Sequence, residues 1–326
     1  MAEQHFAMAN IIGYQRVFTT IIQSPSHFAL TVTNDPVATL GTLAILPNEL
    51  LEDIISKHCD IQTIVTSFSL VNRSTRKAVD ATVAFQRISH YAPIALIAML
   101  RTQAASFFTL EDLYDALCSN SSCRVCGSFG PLLWLPECQR CCMPCLRRAP
   151  EYCPINKYAA TKLFGVSEGV LASVPAVFSE RGWDDYQDFR HLLSFAQARA
   201  AAVEDAGGEA QFMARINSVP RRREAYDSYI SRTCISERGN TARFIVAAPL
   251  PYFDGHSGKI VEGYFCAGCR CLFNSDRTLH RDTIYDEARR YNTVYTISDL
   301  VHHVQTDCPD GQRIWKKHLK ESKQGN

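Results

Sequence analysis

Leu43 to Ile88 shows apolar residues returning every three or four positions, the period of helices that each keep one dry face. Leu46-Pro47 opens the first of three, with Pro in the opening turn where its missing N–H costs nothing, and Leu50, Leu51, Ile54 and Ile55 form its apolar face. Asp60 is placed to cap a second, in which Ile61, Ile64, Val65, Phe68 and Val71 repeat. Asn72 or Ser74 begins the third, which carries Val79, Val83 and Ile88. Farther along, Asp184 to Val203 predicts a helix that ends near Gly207-Gly208. The pattern changes between Leu132 and Leu135 to a short apolar strand after a Gly-Pro turn. Thr241 to Pro249 and Lys259 to Phe265 read as two strands flanking Asp254-Gly255-His256-Ser257-Gly258, a hairpin. Met1 to Thr42 mixes Ile, Phe and Thr with Pro25 and Pro36 and predicts nothing definite. The sum is a predominantly helical α+β chain: an unassigned extension (1–42), a three-helix unit (43–88), and a long region (89–326).

Cysteines change the picture. The chain has 14 in 326 residues, and eight lie between Cys118 and Cys153. Cys123-Arg-Val-Cys126-Gly and Cys142-Met-Pro-Cys145 are two CxxC turns; such turns, brought together, give the tetrahedral thiolate cage that zinc prefers. Cys138-Gln-Arg-Cys141 offers a competing pair just before the second turn. A further knuckle, Cys266-Ala-Gly-Cys269, follows the predicted hairpin, and Cys271 lies close by as a spare. Ser298 is placed to cap a short helix that brings His302 or His303 toward Cys308, which completes a set of three cysteines and one histidine. His303 is favoured because it lies about one turn from Leu300 on the face that Leu300 and Val304 turn inward, with His302 the alternative. Two zinc modules, near 118–153 and 241–310, are therefore expected. Closed four-ligand sites leave no position for a reacting water, so both ions are expected to serve folding rather than hydrolysis. A thioredoxin-type pair needs a βαβ setting that is missing here, and a RING domain needs a histidine that the stretch from Cys123 to Cys153 lacks.

Charge and composition narrow the function. Lys+Arg 34 against Asp+Glu 33 leaves a net charge of +1, which removes the long-range positive field of a chain that grips polyphosphate along its length. Arg221-Arg222-Arg223 and Arg289-Arg290 are the densest basic spots, with Tyr226, Tyr229 and Tyr291 near them. They keep a zinc-stabilised nucleic-acid or chromatin factor as the alternative reading. Walker, dinucleotide-glycine and nucleophile-elbow motifs are all missing, so catalysis is not expected. The longest apolar run, Tyr91 to Leu100, is about half of the roughly 20 residues a membrane span requires, and the acid at Glu3 argues against a signal peptide. The expected setting is the cytoplasm or nucleus, with no membrane partner.

The order of residues from Leu46 to Val79 resembles the F-box motif: Leu46-Pro47-Asn48-Glu49-Leu50, an amphipathic run, then Leu70-Val71-Asn72-Arg73. The resemblance implies a subunit that binds a Skp-type adaptor, and through it a cullin, while the rest of the chain holds a target for ubiquitination. Carried over residue by residue, it implies adaptor contacts at Leu46, Pro47, Leu50, Ile54, Leu70 and Val71. The segment Cys138-Gln139-Arg140-Cys141-Cys142-Met143-Pro144-Cys145 is further similar to fungal F-box proteins with a cysteine-rich C-terminal region. Lys162 to Gly165, Leu192 to Ser194, Ala247 to Pro249 and Gly263 to Cys269 follow in that group's order. This second resemblance favours Cys142 with Cys145 in the first site, beside Cys123 and Cys126, and His303 with Cys266, Cys269 and Cys308 in the second. The identity of the target protein is not implied.

Overall fold

A computed structural model describes residues 39–179, 191–231, 242–261, 263–270 and 293–324. Most of the N-terminal extension, residues 184–190 of the predicted helix, Cys271 and Arg289-Arg290 lie outside these residues.

The chain is predominantly helical with small antiparallel sheets. A short turn at Gly41–Ile45 leads to α1 over residues 48–58, with Pro47 as its N-cap in an extended conformation rather than inside the first turn. Asp60 caps α2 (Ile61–Val71) by accepting a 2.8 Å hydrogen bond from the Thr63 N–H. Asn72 starts α3 (Arg73–Ala81) through a capping box: its side chain accepts from the Thr75 N–H while Thr75 accepts from the Asn72 N–H. The predicted third helix is two helices. The chain leaves the helical conformation at Thr82 (ψ 125°), so Val83 and Ile88 belong to α4 (Val83–Tyr91). Next come α5 (Pro93–Arg101) and α6 (Leu110–Cys118), the latter opened by a Thr109/Asp112 capping box. Among the described residues no single helix is long and apolar enough to cross a membrane; α4 and α5 pass together by composition but meet at 97°.

β1 (Leu132–Trp134) is the predicted apolar strand. It pairs with β2 (Gln139–Cys141), which leads into α7 (Met143–Arg148). Its other edge takes β6 (Ala247–Pro249), in register Leu133 with Ala248, giving the order β2-β1-β6. The predicted strand from Thr241 is thus replaced over its first part by the one-turn helix α12 (Ala242–Ile245), and only its end is extended. The reason is tertiary: Arg243 turns inward, 1% exposed, to donate to the carbonyls of Leu146 and Ala149 at the end of α7.

Between these strands lies a second unit. β3 (Pro154–Asn156), α8 (Lys157–Phe164), β4 (Ala176–Phe178), β5 (His191–Ser194), α9 (Phe195–Ala206), α10 (Glu209–Asn217) and α11 (Pro220–Tyr229) follow one another, with strand order β3-β5-β4. The helix expected from Asp184 begins at Phe195; His191 to Ser194 is strand, because Leu193 and Leu192 pair with Ile155 and Val177 inside the sheet. The hairpin is β7 (Tyr252–Asp254) with β8 (Lys259–Val261); β9 (Tyr264–Phe265) instead pairs with β10 (Val294–Tyr295). A one-turn helix α13 (267–270), α14 (Ile297–Thr306) and α15 (Pro309–Gln324) complete the chain.

The main core runs without interruption from Leu51 through Ile64, Ile88, Met99, Leu113 and Trp134 to Phe253, so it crosses the expected division at residue 88. A second core gathers Phe164, Phe195, Phe212 and Tyr226. Joining the segments is Arg140 on β2, 5% exposed and, among the described residues, without a carboxylate partner. Its guanidinium donates to the carbonyls of Ala116 and Leu117 at the end of α6, Gly130 before β1, and Leu250 and Pro251 after β6. Burial pulls its pKa down to about 10. Arg140→Met removes one buried charge but leaves several carbonyls without donors. It is expected to lower unfolding stability by about 3 kcal/mol or more in urea denaturation, and Arg140→Lys, with no fork to span the separate segments, recovers little of it.

Candidate metal centres

The first knuckle is a tight turn. The Cys123 carbonyl accepts from the Gly127 N–H at 2.9 Å, and Gly127 takes φ +72°, a conformation that favours glycine. The second knuckle sits where β2 ends: Cys142 is the N-cap of α7 and Cys145 lies in its first turn, so helical winding brings both sulfurs to one side. The antiparallel β1–β2 pairing carries the second knuckle back to the first. Cys123, Cys126, Cys142 and Cys145 come together with their sulfurs all within 4.8 Å of one another, and the Cys126 and Cys142 sulfurs are 3.5 Å apart. Cys138 and Cys141 stay out of the cluster. Cys141 is committed to the ladder opposite Leu132, Cys138 sits at the strand turn with φ 49°, and burial pushes both thiols up.

The second cluster unites Cys266, Cys269, His303 and Cys308, all four buried. Thr296, rather than Ser298, caps α14 by accepting from the Asp299 N–H at 3.2 Å. Leu300, His303 and Val304 all face inward, whereas His302 is more exposed and lies outside the cluster. The Cys269 sulfur is 3.3 Å from His303 Nε2, and the Cys266 and Cys269 sulfurs are each 3.7 Å from that of Cys308. On the far side of the ring, His303 Nδ1 lies 3.8 Å from an Asp307 carboxylate oxygen, and Tyr295 stacks on it at 4.6 Å between centroids. The knuckle is so close to α15 that a Cβ on Gly268 would overlap the Gly311 nitrogen and come within 2.8 Å of the Cys308 sulfur. The Gly311 N–H itself donates to that sulfur at 3.3 Å.

Both clusters can hold a metal ion. Four ligands about 2.3 Å from a tetrahedral zinc stand about 3.8 Å from one another, close to the sulfur spacings found, and far from the roughly 2.0 Å of a disulfide. Without a metal, the thiols of each cluster share their protons unequally. Hydrogen bonds from the Cys142 and Cys145 thiols keep Cys123 far below the ordinary thiol range, and Cys269 acts likewise on Cys266, whose pKa falls to about 4. The donors Cys142, Cys145 and Cys269 are pushed up in turn, as is Cys308, chiefly by burial. The clusters differ in access: Cys126 is exposed and Cys145 half-buried, whereas the second cage is closed. Phe129, Phe265 and Val294 pack the two modules together, and ligand residues of both clusters, Cys126, Cys142 and Cys145 from the first and His303 from the second, line one cavity of about 770 Å³.

The six residues expected to touch an adaptor lie elsewhere, on α1, α2 and the segment before them. The apolar face of α1 divides: Leu51 and Ile55 enter the core, while Leu50 and Ile54 remain 53% and 37% exposed. Leu70 and Val71 at the end of α2 are 64% and 69% exposed; Pro47 is exposed and Leu46 partly buried. Leu43 and Ile45, which the F-box resemblance does not single out, are exposed on the same segment. Asn72 Nδ2 donates to the Thr39 carbonyl at 3.3 Å, tying that segment to the end of α2. Comparison of the chain with family models, curated proteins and solved structures returns no match.

Elemental analysis is expected to find two metal ions per chain, with one lost in Cys142→Ser and one in Cys266→Ser. Metal retention is expected to depend on pH. Every ligand must be deprotonated to hold the ion, so metal content measured across an acid titration is expected to fall as the pH is lowered.

Proposed function

We propose that the chain is a substrate-recruiting F-box subunit of a cullin-RING ubiquitin ligase, which binds a Skp-type adaptor through residues 43–88 and a target protein through the remainder. The observation that carries this reading is the uncovered apolar face: Leu50, Ile54, Leu70 and Val71 are exposed, and they are four of the six positions at which the F-box resemblance implies adaptor contacts. Single apolar side chains on a surface need no explanation, but several on one small helical unit mark an interaction site. Leu51, Ile55, Ile61, Ile64 and Val65 fill the core from the same helices, so the outer residues are surplus to folding.

In this reading the metal in both cages is zinc, which suits a donor set of seven thiolates and one imidazole in two closed sites. The second ion cross-links α13, α14 and α15, whose shared core is a small cluster of Leu300, Val304 and the ligand cysteines. The chain does no chemistry. Holding the target near a ubiquitin-conjugating enzyme raises the effective concentration of the acceptor lysine. The nucleic-acid alternative finds less support. Arg223 is paired with Asp227 at 2.6 Å, Arg222 donates to the Arg215 carbonyl, and the net charge is +1.

The test is co-purification with a Skp-type adaptor. The unaltered chain is expected to retain the adaptor; Leu50→Glu with Val71→Glu is expected to release it, each change costing about 2 kcal/mol or more of binding. Metal content and Tm should stay unchanged, since neither side chain enters the core. Failure of the unaltered chain to bind removes the ligase assignment.

A further inference from the structure

We propose that the cavity between the two metal cages is a binding site for a basic, Lys- or Arg-bearing segment of a partner protein. The proposal requires metal in both cages and stands apart from the adaptor reading. From the first module the cavity is lined by the sulfur ligands Cys126, Cys142 and Cys145; from the second come Tyr295, His303 and Asp307. Its volume of about 770 Å³ is within the roughly 300–1,000 Å³ usual for ligand clefts.

Charge decides what enters. Four thiolates around Zn²⁺ leave a charge of about −2, and three thiolates with a neutral imidazole leave about −1. Asp307 adds another negative charge, and among the described residues that line the cavity Arg148 is the one Lys or Arg. The balance is a net charge of about −3 shared by one cleft, and walls of low polarizability concentrate such a field instead of dispersing it. A phosphate or an acidic peptide would meet repulsion from both cages with a single arginine in its favour. A lysine or arginine meets attraction from both cages, and the Phe129 and Tyr295 side chains that line the cavity give its aliphatic stem an apolar surface. The asymmetry in access serves the same end, because the more highly charged cage is the one with an exposed ligand, Cys126.

The experiment is fluorescence anisotropy with the zinc-loaded full chain and a labelled peptide of alternating Arg and Gly, set against its Glu-Gly counterpart and against spermine. The basic peptide is expected to bind and to weaken as salt is raised. Ser128→Lys, which adds a cation at an exposed lining position, should weaken it about tenfold or more. Arg148→Ala should tighten it several-fold, with two zinc ions per chain retained in both variants. Binding of the acidic peptide as tightly as the basic one overturns the proposal. So does indifference to Ser128→Lys, absence of any peptide binding, or capture of spermine alone. Adaptor capture by the Ser128→Lys variant stays intact in either event, which separates this result from the fate of the ligase reading.

Discussion

The Arg140 guanidinium satisfies carbonyl groups of three separate stretches of chain from within the main core, and the neighbouring architecture is arranged around it. Its strand, β2, ends two residues before the helix of Cys145 begins, so whatever positions Arg140 also positions the second knuckle. Tyr152 reinforces the same strand by donating to the Arg140 carbonyl at 3.2 Å, and its hydroxyl lies 3.6 Å from the Cys123 sulfur. Burying a cation is costly, and it is tolerated here because five carbonyl dipoles converge on it. The first metal cage inherits its geometry from that convergence.

Arg243 repeats the device on a smaller scale, closing the end of α7 from a different part of the chain. Two arginines thus do between loops what backbone ladders do within sheets, which suits a protein whose described strands are only two to four residues long. Glu137 links the two cores in the same manner, accepting from Ser194 at 2.7 Å and pairing with Arg124 at 2.9 Å.

Helical periodicity and ligand spacing were the legible parts of the sequence, because both are local. Asp60 read correctly as a cap, and Asn72 was one of two candidates with Ser74, since a cap and its helix are a few residues apart. A CxxC turn limits where two sulfurs can go, so the candidate ligands were legible, but spacing alone left Cys138 and Cys141 in competition with Cys142 and Cys145, and favoured His303 over His302 only by its distance from Leu300. What escaped was non-local. Nothing near Thr241 says that Arg243 will reach α7, and nothing near Ala247 says that β1 will be its partner. Arg140 sits between Cys138 and Cys141 beside Gln139, with nothing local to mark it as buried, and its role depends on Leu250 and Pro251, 110 and 111 residues away. Leu50 and Leu51 could not be told apart by period, since both belong to one broad stripe until the rest of the fold selects the inner edge.

The uninterrupted core from Leu51 to Phe253 has a mechanical meaning. Buried side chains run in close packing from α1 to the all-cysteine cage among the described residues, and packing of that density transmits displacement instead of absorbing it. A partner seated on Leu50 and Ile54 would hold the cage at a set distance and bearing, and reach would be adjusted elsewhere in the assembly.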